Sequence, residues 1–268
     1  MIIIGELING TRKRIKQAIA ERDAAYIAKL AARQAEAGAS FIDVNPGTVG
    51  DQEIDDAVWL VQIAQDATDK PLCIDTPNAT AMEAAFEAYT GKAMPMLNSI
   101  SLEAERLETM LPLIKRAKCN VIALSIGDAG MPTRAGDREK AALALVDLLI
   151  SEAGLAPEQI YVDPIITPLS TQPEVVGLIA GSIRAILEHN PKVHITSGLS
   201  NISFGLPNRK LLNRVFVTLA MEAGMDSAVL DPLDEKIMAQ IFATEALLGK
   251  DEYCMNYLTA FRQGKLEV

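Results

Sequence analysis

The sequence has little histidine, cysteine or aromatic residue, and each shortage removes a class of chemistry. Its two histidines, His189 and His194, flank one strand-like run on the amino side. A Ser-His-Asp triad would need its base at the opposite end of that run, so none is expected. The three cysteines, Cys73, Cys119 and Cys254, are far apart and form no C-x-x-C pair. Neither a disulfide framework nor a zinc site is expected. Cys73 sits in an apolar run and has the character of buried filler. Unpaired thiols suit a reducing, cytoplasmic setting. With a single tryptophan, the core must be aliphatic and rich in alanine. No apolar run reaches the roughly 18 residues that a membrane span requires. The opening MIIIGELING has no basic region or long apolar stretch, so no signal peptide is expected there. A net charge of −10 argues against nucleic acid or an anionic membrane as partner, because phosphate binding needs clustered Lys and Arg. No G-x-G-x-x-G follows the first strand, which argues against an open dinucleotide-binding sheet.

What is present is one unit repeated. Short β-branched or apolar runs alternate with longer amphipathic ones. The strands are expected at Ile2–Gly5, Ser40–Val44, Pro71–Ile74, Ala93–Leu97, Asn120–Leu124, Ile160–Val162, Val193–Thr196 and Ser227–Leu230. Two helical segments with a break near Asp23 follow the first strand. Single helices follow the others, at about 51–68, 80–89, 103–118, 138–152, 173–188, 208–223 and 235–248, with a short tail after them. A glycine-containing loop, 127–136, follows the fifth strand. Alternation of this kind implies parallel pairing through right-handed crossovers. Eight such units in 268 residues match a (β/α)8 TIM barrel, which needs roughly 250. The expected fold class is α/β, a single barrel domain spanning 1–268.

Aligning the strands brings out a second pattern. Polar residues stand at or just past most of the carboxyl ends: Glu6 and Asn9, Asp43 and Asn45, Asp75 and Asn78, Asn98, Asp163, Asn201 and Asp231. The loop after the seventh strand adds Ser200, Ser203, Asn208 and Arg209. In a barrel these ends gather at one face, where active sites lie. Any one Asx residue there is more often a turn former or helix cap. Seven strand ends with such residues exceed what capping accounts for. Carboxylates alone could hold Mg²⁺, but the set contains many amides, and no bound metal is expected. A carboxylate offers paired acceptors and an amide offers a donor and an acceptor, which suits a flat, polar heterocycle. These residues indicate a pocket for a planar polar small molecule without naming it.

The chain resembles the pterin-binding (β/α)8 barrels, and within them the methyltetrahydrofolate:corrinoid protein methyltransferases. The resemblance runs through Gly5-Glu6-Leu7-Ile8-Asn9-Gly10, Asp43-Val44-Asn45, Cys73-Ile74-Asp75-Thr76, Leu97-Asn98-Ser99, Asp163-Pro164, Gly198-Leu199-Ser200-Asn201, Asn208-Arg209 and Asn213-Arg214. It covers nearly the whole chain and extends to the folate module of cobalamin-dependent methionine synthase. It implies that Asp75, Asn98 and Asp163 are pterin ligands. Asn201 is then the residue near N5, where the methyl group hangs, and Ser200 and Arg209 are counted with it among the folate-binding residues. Arg209 lies in the loop over the folate, and Glu6, Asn9, Asp43 and Asn45 are supports. The implied substrates are tetrahydrofolate or 5-methyltetrahydrofolate and a corrinoid (cobalamin) on a partner protein. A homodimer is also implied. Phe204 departs from members with glutamine there, which opens a role in packing on a ring or on the corrinoid partner.

Other readings stay open at this point. A dihydropteroate synthase-like enzyme would share the barrel and pocket, but Asp231-Pro232-Leu233-Asp234-Glu235 would repel its pyrophosphate. A non-catalytic folate-binding protein would keep Asp75, Asn98 and Asp163 without transferring a methyl group. A lyase or aldolase barrel would want a Lys or His at the mouth, whereas Lys92 and Lys118 precede strands.

Overall fold

Side chains in a strand alternate sides, so a strand buried on both faces carries one set of residues into the barrel and the other toward the helices. The computed structural model of the chain, which describes residues 1–128, 130–132 and 136–266, shows this division directly. Eight strands run parallel: β1 (Ile2–Asn9), β2 (Phe41–Asn45), β3 (Leu72–Asp75), β4 (Met96–Ile100), β5 (Asn120–Leu124), β6 (Ile160–Asp163), β7 (His194–Ile195) and β8 (Ser227–Leu230). Their order is β7-β6-β5-β4-β3-β2-β1-β8. A parallel bridge between Gly198 and Val229 joins the two edges. The 2.8 Å hydrogen bond from Val229 N–H to Ser197 C=O completes the barrel.

The helices are α1 (Lys13–Ala20), α2 (Ala24–Glu36), α3 (Asp51–Ala67), α4 (Ala79–Ala88), α5 (Ala104–Arg116), α6 (Asp137–Ala153), α7 (Val175–His189), α8 (Arg209–Ala223), α9 (Glu235–Leu247) and α10 (Met255–Arg262). Asp23 makes the break before α2, where its carboxylate accepts the Tyr26 N–H at 3.1 Å. The tail, where the sequence predicts no element, folds into α10. Of loop 127–136, residue 129 and residues 133–135 lie outside the described residues.

Two apolar layers result. The larger lies between sheet and helices and holds Ile3, Ile8, Ile42, Leu72, Leu97, Val121 and Val162 with the alanine-rich helix faces. The smaller plugs the barrel interior with Ile4, Phe41, Cys73, Met96, Ile122 and Tyr161. Cys73 is therefore core, as its apolar surroundings suggested.

Five strands extend further toward their carboxyl ends than apolar content alone indicated, β2 by one residue to Asn45, whereas β5 and β8 end as expected and β7 is shorter at both ends than Val193–Thr196. β1 continues through Asn9, β3 through Asp75, β4 through Ile100 and β6 through Asp163. β4 also begins later than expected, because Pro95 has no N–H to donate and Ala93 and Met94 are exposed. Polar residues thus replace apolar ones inside the ladder. Ile4 is followed two places on by Glu6, Phe41 by Asp43, Cys73 by Asp75, Met96 by Asn98 and Tyr161 by Asp163. A period of two keeps each on the interior side, one layer above the apolar plug.

Candidate active site

The layer above the plug is a ring of acids and amides. Asp75 pairs with Asn98 across β3 and β4, and Asp43 pairs with Cys73 across β2 and β3. Asn45 ends β2, and its Nδ2 donates to Asp75 Oδ2 at 2.7 Å. Its Oδ1 accepts the Gly47 N–H at 2.8 Å, which fixes the amide so that the donor faces Asp75. Gly47 has φ of +61°, and a Cβ on Gly10 would stand 1.8 Å from the Pro46 carbonyl oxygen. The first two loops cross backbone to backbone there, which only glycine permits. This close approach explains the glycine after Asn9 and the Pro46-Gly47 pair after Asn45.

Burial governs the charge of the ring. Asp43 is buried, and loss of solvent raises its pKa well above the usual carboxylate range. The charge of Asp75 adds to the rise, Cys73 and Asn98 lower it, and Glu6 raises it further. Asp43 Oδ1 has no hydrogen-bond partner among the described residues. Asp75 is pushed up to about 6 by burial, against the Asn45 hydrogen bond and the charge of Arg106. Asp163 is also pushed up to about 6 by burial, opposed by hydrogen bonds from the backbone N–H groups of Ile165 and Gly198. Glu6 is raised by burial, against its ion pair with Arg12 at 2.6 Å; Asp231 raises it and Arg209 lowers it. The acids that burial discourages from carrying charge thus line the carboxyl end of the barrel. That arrangement suits a ligand bringing its own N–H donors.

Several of these residues also shape the backbone. Asn9 accepts from the Thr11 N–H at 3.0 Å, Asp163 from the Ile165 N–H at 2.8 Å and Asp231 from the Leu233 N–H at 2.9 Å. Each is a side-chain turn to the residue two places on. Asn9 spends its carbonyl on Thr11, whose Oγ1 also donates to it at 2.6 Å. Asn78 is a helix cap, accepting from the Thr80 and Ala81 N–H groups.

The turn after β7 is of another kind. Leu199–Ser203 forms a 3₁₀ turn in which the Asn201 N–H donates to Gly198 C=O at 3.1 Å. The Asn201 side chain is exposed at the rim. A Cβ on Gly198 would lie 3.1 Å from Asn201 Nδ2, so glycine leaves room for the amide. Ser200 contributes through its backbone, its carbonyl accepting Arg209 Nη2 at 2.7 Å. Arg209 Nε donates to Ser203 Oγ at 3.1 Å, and the guanidinium lies 5.8 Å from the centre of the Phe204 ring. Phe204 is 63% exposed at the mouth.

Sequence reasoning missed three residues that hold this ring. Arg106, in the first turn of α5, donates to the carbonyls of Pro77, at 2.6 Å, and Ser99 and places a cation near Asp75. A cation in a helix's first turn opposes the macrodipole, and that was the available signal. Glu53 on α3 accepts from Thr76 Oγ1 and from Asn78 Nδ2, the latter at 3.2 Å, tying down the loop beyond Asp75. Arg138 is the third. The histidines lie where expected, away from the mouth. His189 pairs with Asp147 at 2.8 Å, while His194 pairs with Asp226 at 2.7 Å and stacks on Tyr161. A cavity of about 640 Å³ opens at the amino end beside Lys92 and Lys118, away from the ring. Among the described residues no group of three His, Cys, Asp or Glu side chains could hold a metal ion.

Comparison with known proteins gives this geometry its context. The chain is 43% identical to the methylcorrinoid:tetrahydrofolate methyltransferase of Eubacterium limosum, over 99% of this chain and 98% of that protein. It is 27% identical to the methionine synthase of Mycobacterium tuberculosis over 85% of this chain, which spans only 20% of that longer protein. Among solved structures, dihydropteroate synthase from Xanthomonas albilineans in complex with 7,8-dihydropteroate superposes with a TM-score of 0.69, covering 92% of each chain at 17% identity. The Yersinia pestis dihydropteroate synthase gives 0.64 at 16% identity, over 92% of this chain and 93% of that one. At such identities the structures establish a shared fold. The sequence pattern of the pterin binding enzymes matches residues 5–231, and the chain belongs to that family.

Proposed function

We propose that this chain is a methyltransferase that moves a methyl group between N5 of tetrahydrofolate and the cobalt of a corrinoid carried by a separate protein. The observation that carries this reading is the full-length likeness to a methylcorrinoid:tetrahydrofolate methyltransferase. The ring of inward acids and amides supplies a chemical reason for it.

Asp75, Asn98 and Asp163 hold the pterin. Asp75 and Asp163 present paired acceptors to ring N–H and amino donors, and Asn98 pairs with an amide edge. Removing any one leaves buried polar groups unmatched, which costs about 1–3 kcal/mol. Asp43, Asn45 and Glu6 keep the ring in register, and Asn9 shapes the first loop. Arg209 and Ser200 brace the turn that carries Asn201.

Asn201 is the residue beside N5. The corrinoid cobalt is the second resting place of the methyl group and arrives as a substrate on the partner. The two histidines are engaged at the amino end, so neither offers a cobalt ligand at the mouth. When the methyl group leaves N5, the nitrogen keeps the bonding pair and must be protonated to be an adequate leaving group. An amide supplies no proton. Its carbonyl can accept a hydrogen bond from a protonated N5, strengthening as the transition state forms. The proton itself comes from solvent, which the exposed position of Asn201 admits.

The dihydropteroate synthase reading rests on fold likeness alone. Asp231 beside Glu6 makes the β8 end of the mouth acidic, which disfavours pyrophosphate. Residues 1–268 act as one unit in this reading. A homodimer is supported by α8, whose Leu211, Val215 and Leu219 stand about half exposed at four-residue spacing, an apolar stripe suited to a second copy. A cytoplasmic location is supported by cysteines that are all free. No described helix is long and apolar enough to cross a membrane.

The test is to mix the protein anaerobically with tetrahydrofolate and methylcobalamin and follow the cobalt absorption spectrum. Loss of the methyl-cobalt band with formation of methyltetrahydrofolate supports the reading. Tight tetrahydrofolate binding without conversion, with or without a corrinoid protein, would identify a folate-binding protein instead.

A further inference from the structure

Arg138 occupies an unfavourable place. It lies in the first turn of α6, against the helix dipole, and is 3% exposed. Burying a guanidinium is costly unless it is paired and bonded. Burial lowers its pKa, with Glu139 and Asp137 opposing. Its hydrogen bonds among the described residues all go to neutral oxygens of one segment, the β6–α7 loop (164–174). Nε donates to the Ile165 carbonyl at 3.3 Å, and Nη2 to Thr167 Oγ1 at 3.4 Å and Gln172 Oε1 at 3.3 Å. Thr167 Oγ1 in turn donates to Gln172 Oε1 at 2.6 Å.

That loop has an uncommon backbone. Ile165 has φ of +61°, a left-handed conformation that a β-branched residue rarely adopts. It is gripped from both sides. Its N–H donates to Asp163 Oδ1 at 2.8 Å, and its carbonyl accepts Arg138. Further along, the Leu169 N–H donates to Ile202 C=O at 2.9 Å and Ser170 Oγ to Phe204 C=O at 3.1 Å. The same loop therefore touches the turn that bears Asn201.

We infer that Arg138 is a positioning residue whose buried guanidinium holds the β6–α7 loop in its strained course, aiming Asp163 into the barrel and bracing the Asn201 turn. Asp137 and Glu139 favour its charge, but its hydrogen bonds among the described residues go to the loop. What the fork supplies is a fixed grip on a carbonyl that a relaxed isoleucine would turn elsewhere. This inference rests on the reading of Asp163 as a folate-binding residue.

The experiment measures tetrahydrofolate Kd by calorimetry, methyl-transfer kcat and KM, and thermal midpoint in Asp163→Asn, Arg138→Met, Arg138→Lys, and Arg138→Met with Ile165→Gly. Arg138→Met is expected to weaken folate binding by about tenfold, the scale of one released left-handed residue. It is also expected to lower kcat, because the Asn201 turn loses its brace. Arg138→Lys keeps the charge without the fork and should recover little. Glycine adopts a positive φ freely, so Ile165→Gly in the Arg138→Met background should return Kd to within about threefold of wild type. Normal folate affinity and kcat in Arg138→Met, whatever its thermal midpoint, would overturn the inference, as would failure of the glycine to restore binding. Should Arg138→Met not fold, full activity in Arg138→Lys overturns it equally. Normal affinity in Asp163→Asn would instead overturn the folate reading of the site and leave the role of Arg138 in the loop to be judged from the glycine rescue alone.

Discussion

The wall of the mouth and its rim are built on opposite principles. The wall, from β2 to β4 and β6, places Asp43, Asp75, Asn98 and Asp163 on strands, where the ladder fixes each backbone and burial lifts the pKa of the acids. The rim, after β7, places Ser200 and Asn201 on a short 3₁₀ turn, with Phe204 just past it and Arg209 at the start of α8; Asn201, Phe204 and Arg209 are open to solvent. A strand-borne, desolvated group is suited to recognition, since it rejects whatever leaves it unpaired. A solvent-facing amide on a braced turn is suited to a step in which a proton must arrive and a bulky partner must approach. On the proposed function, this difference gives binding to the wall and transfer to the rim.

Substitutions should separate the two. The largest effect belongs to the rim: Asn201→Ala should lower turnover by about 10²–10³-fold, as removal of one donor or acceptor that acts in the transition state does elsewhere. Next comes the wall. Asp75→Ala should weaken tetrahydrofolate binding by about 1–3 kcal/mol, read by calorimetry, with Asn45 left without its partner. Asp163→Asn should weaken binding yet stabilise the free protein. Asp163 is raised to about 6 in the folded state, above its unfolded value, so the fold holds that proton more tightly than the unfolded chain. Its contribution to stability therefore falls as pH rises from about 4 to about 6. The variant should gain about 2–3 kcal/mol above pH 6 and nothing below pH 4, read from urea unfolding at several pH values. A smaller and graded effect is the pH dependence of binding. Asp75 and Asp163 must be ionised to act as pure acceptors, so affinity should rise with pH up to about 6 and level off beyond it. The smallest is Phe204→Ala, at 63% exposure, which should alter tetrahydrofolate affinity by less than about threefold.

Much of the wall was legible in the sequence, and less of the rim's support. Cys73-Ile74-Asp75 shows why: a period of two carries an inward core residue to an inward acid, and the chain states that pattern locally. The eight alternations were legible for the same reason. The strand ends were read short, because Asp75, Asn98 and Asp163 break apolar runs while remaining in the ladder. The double use of Asn45 and Asp163, as turn formers and as inward groups, depends on loop geometry that spacing does not encode. Arg106, Glu53 and Arg138 were missed because long side chains act across elements brought together only by the closed barrel. Their one local signature, for the two arginines, is a cation in a helix's first turn.

The measurement that tests the division most directly is tetrahydrofolate Kd and methyl-transfer turnover determined side by side for Asp75→Ala and Asn201→Ala. The account predicts a crossed pattern: Asp75→Ala loses affinity and regains most of its turnover at saturating folate, whereas Asn201→Ala binds nearly as wild type and barely turns over. Parallel losses of affinity and turnover in both variants would contradict it, because wall and rim would then be a single binding surface.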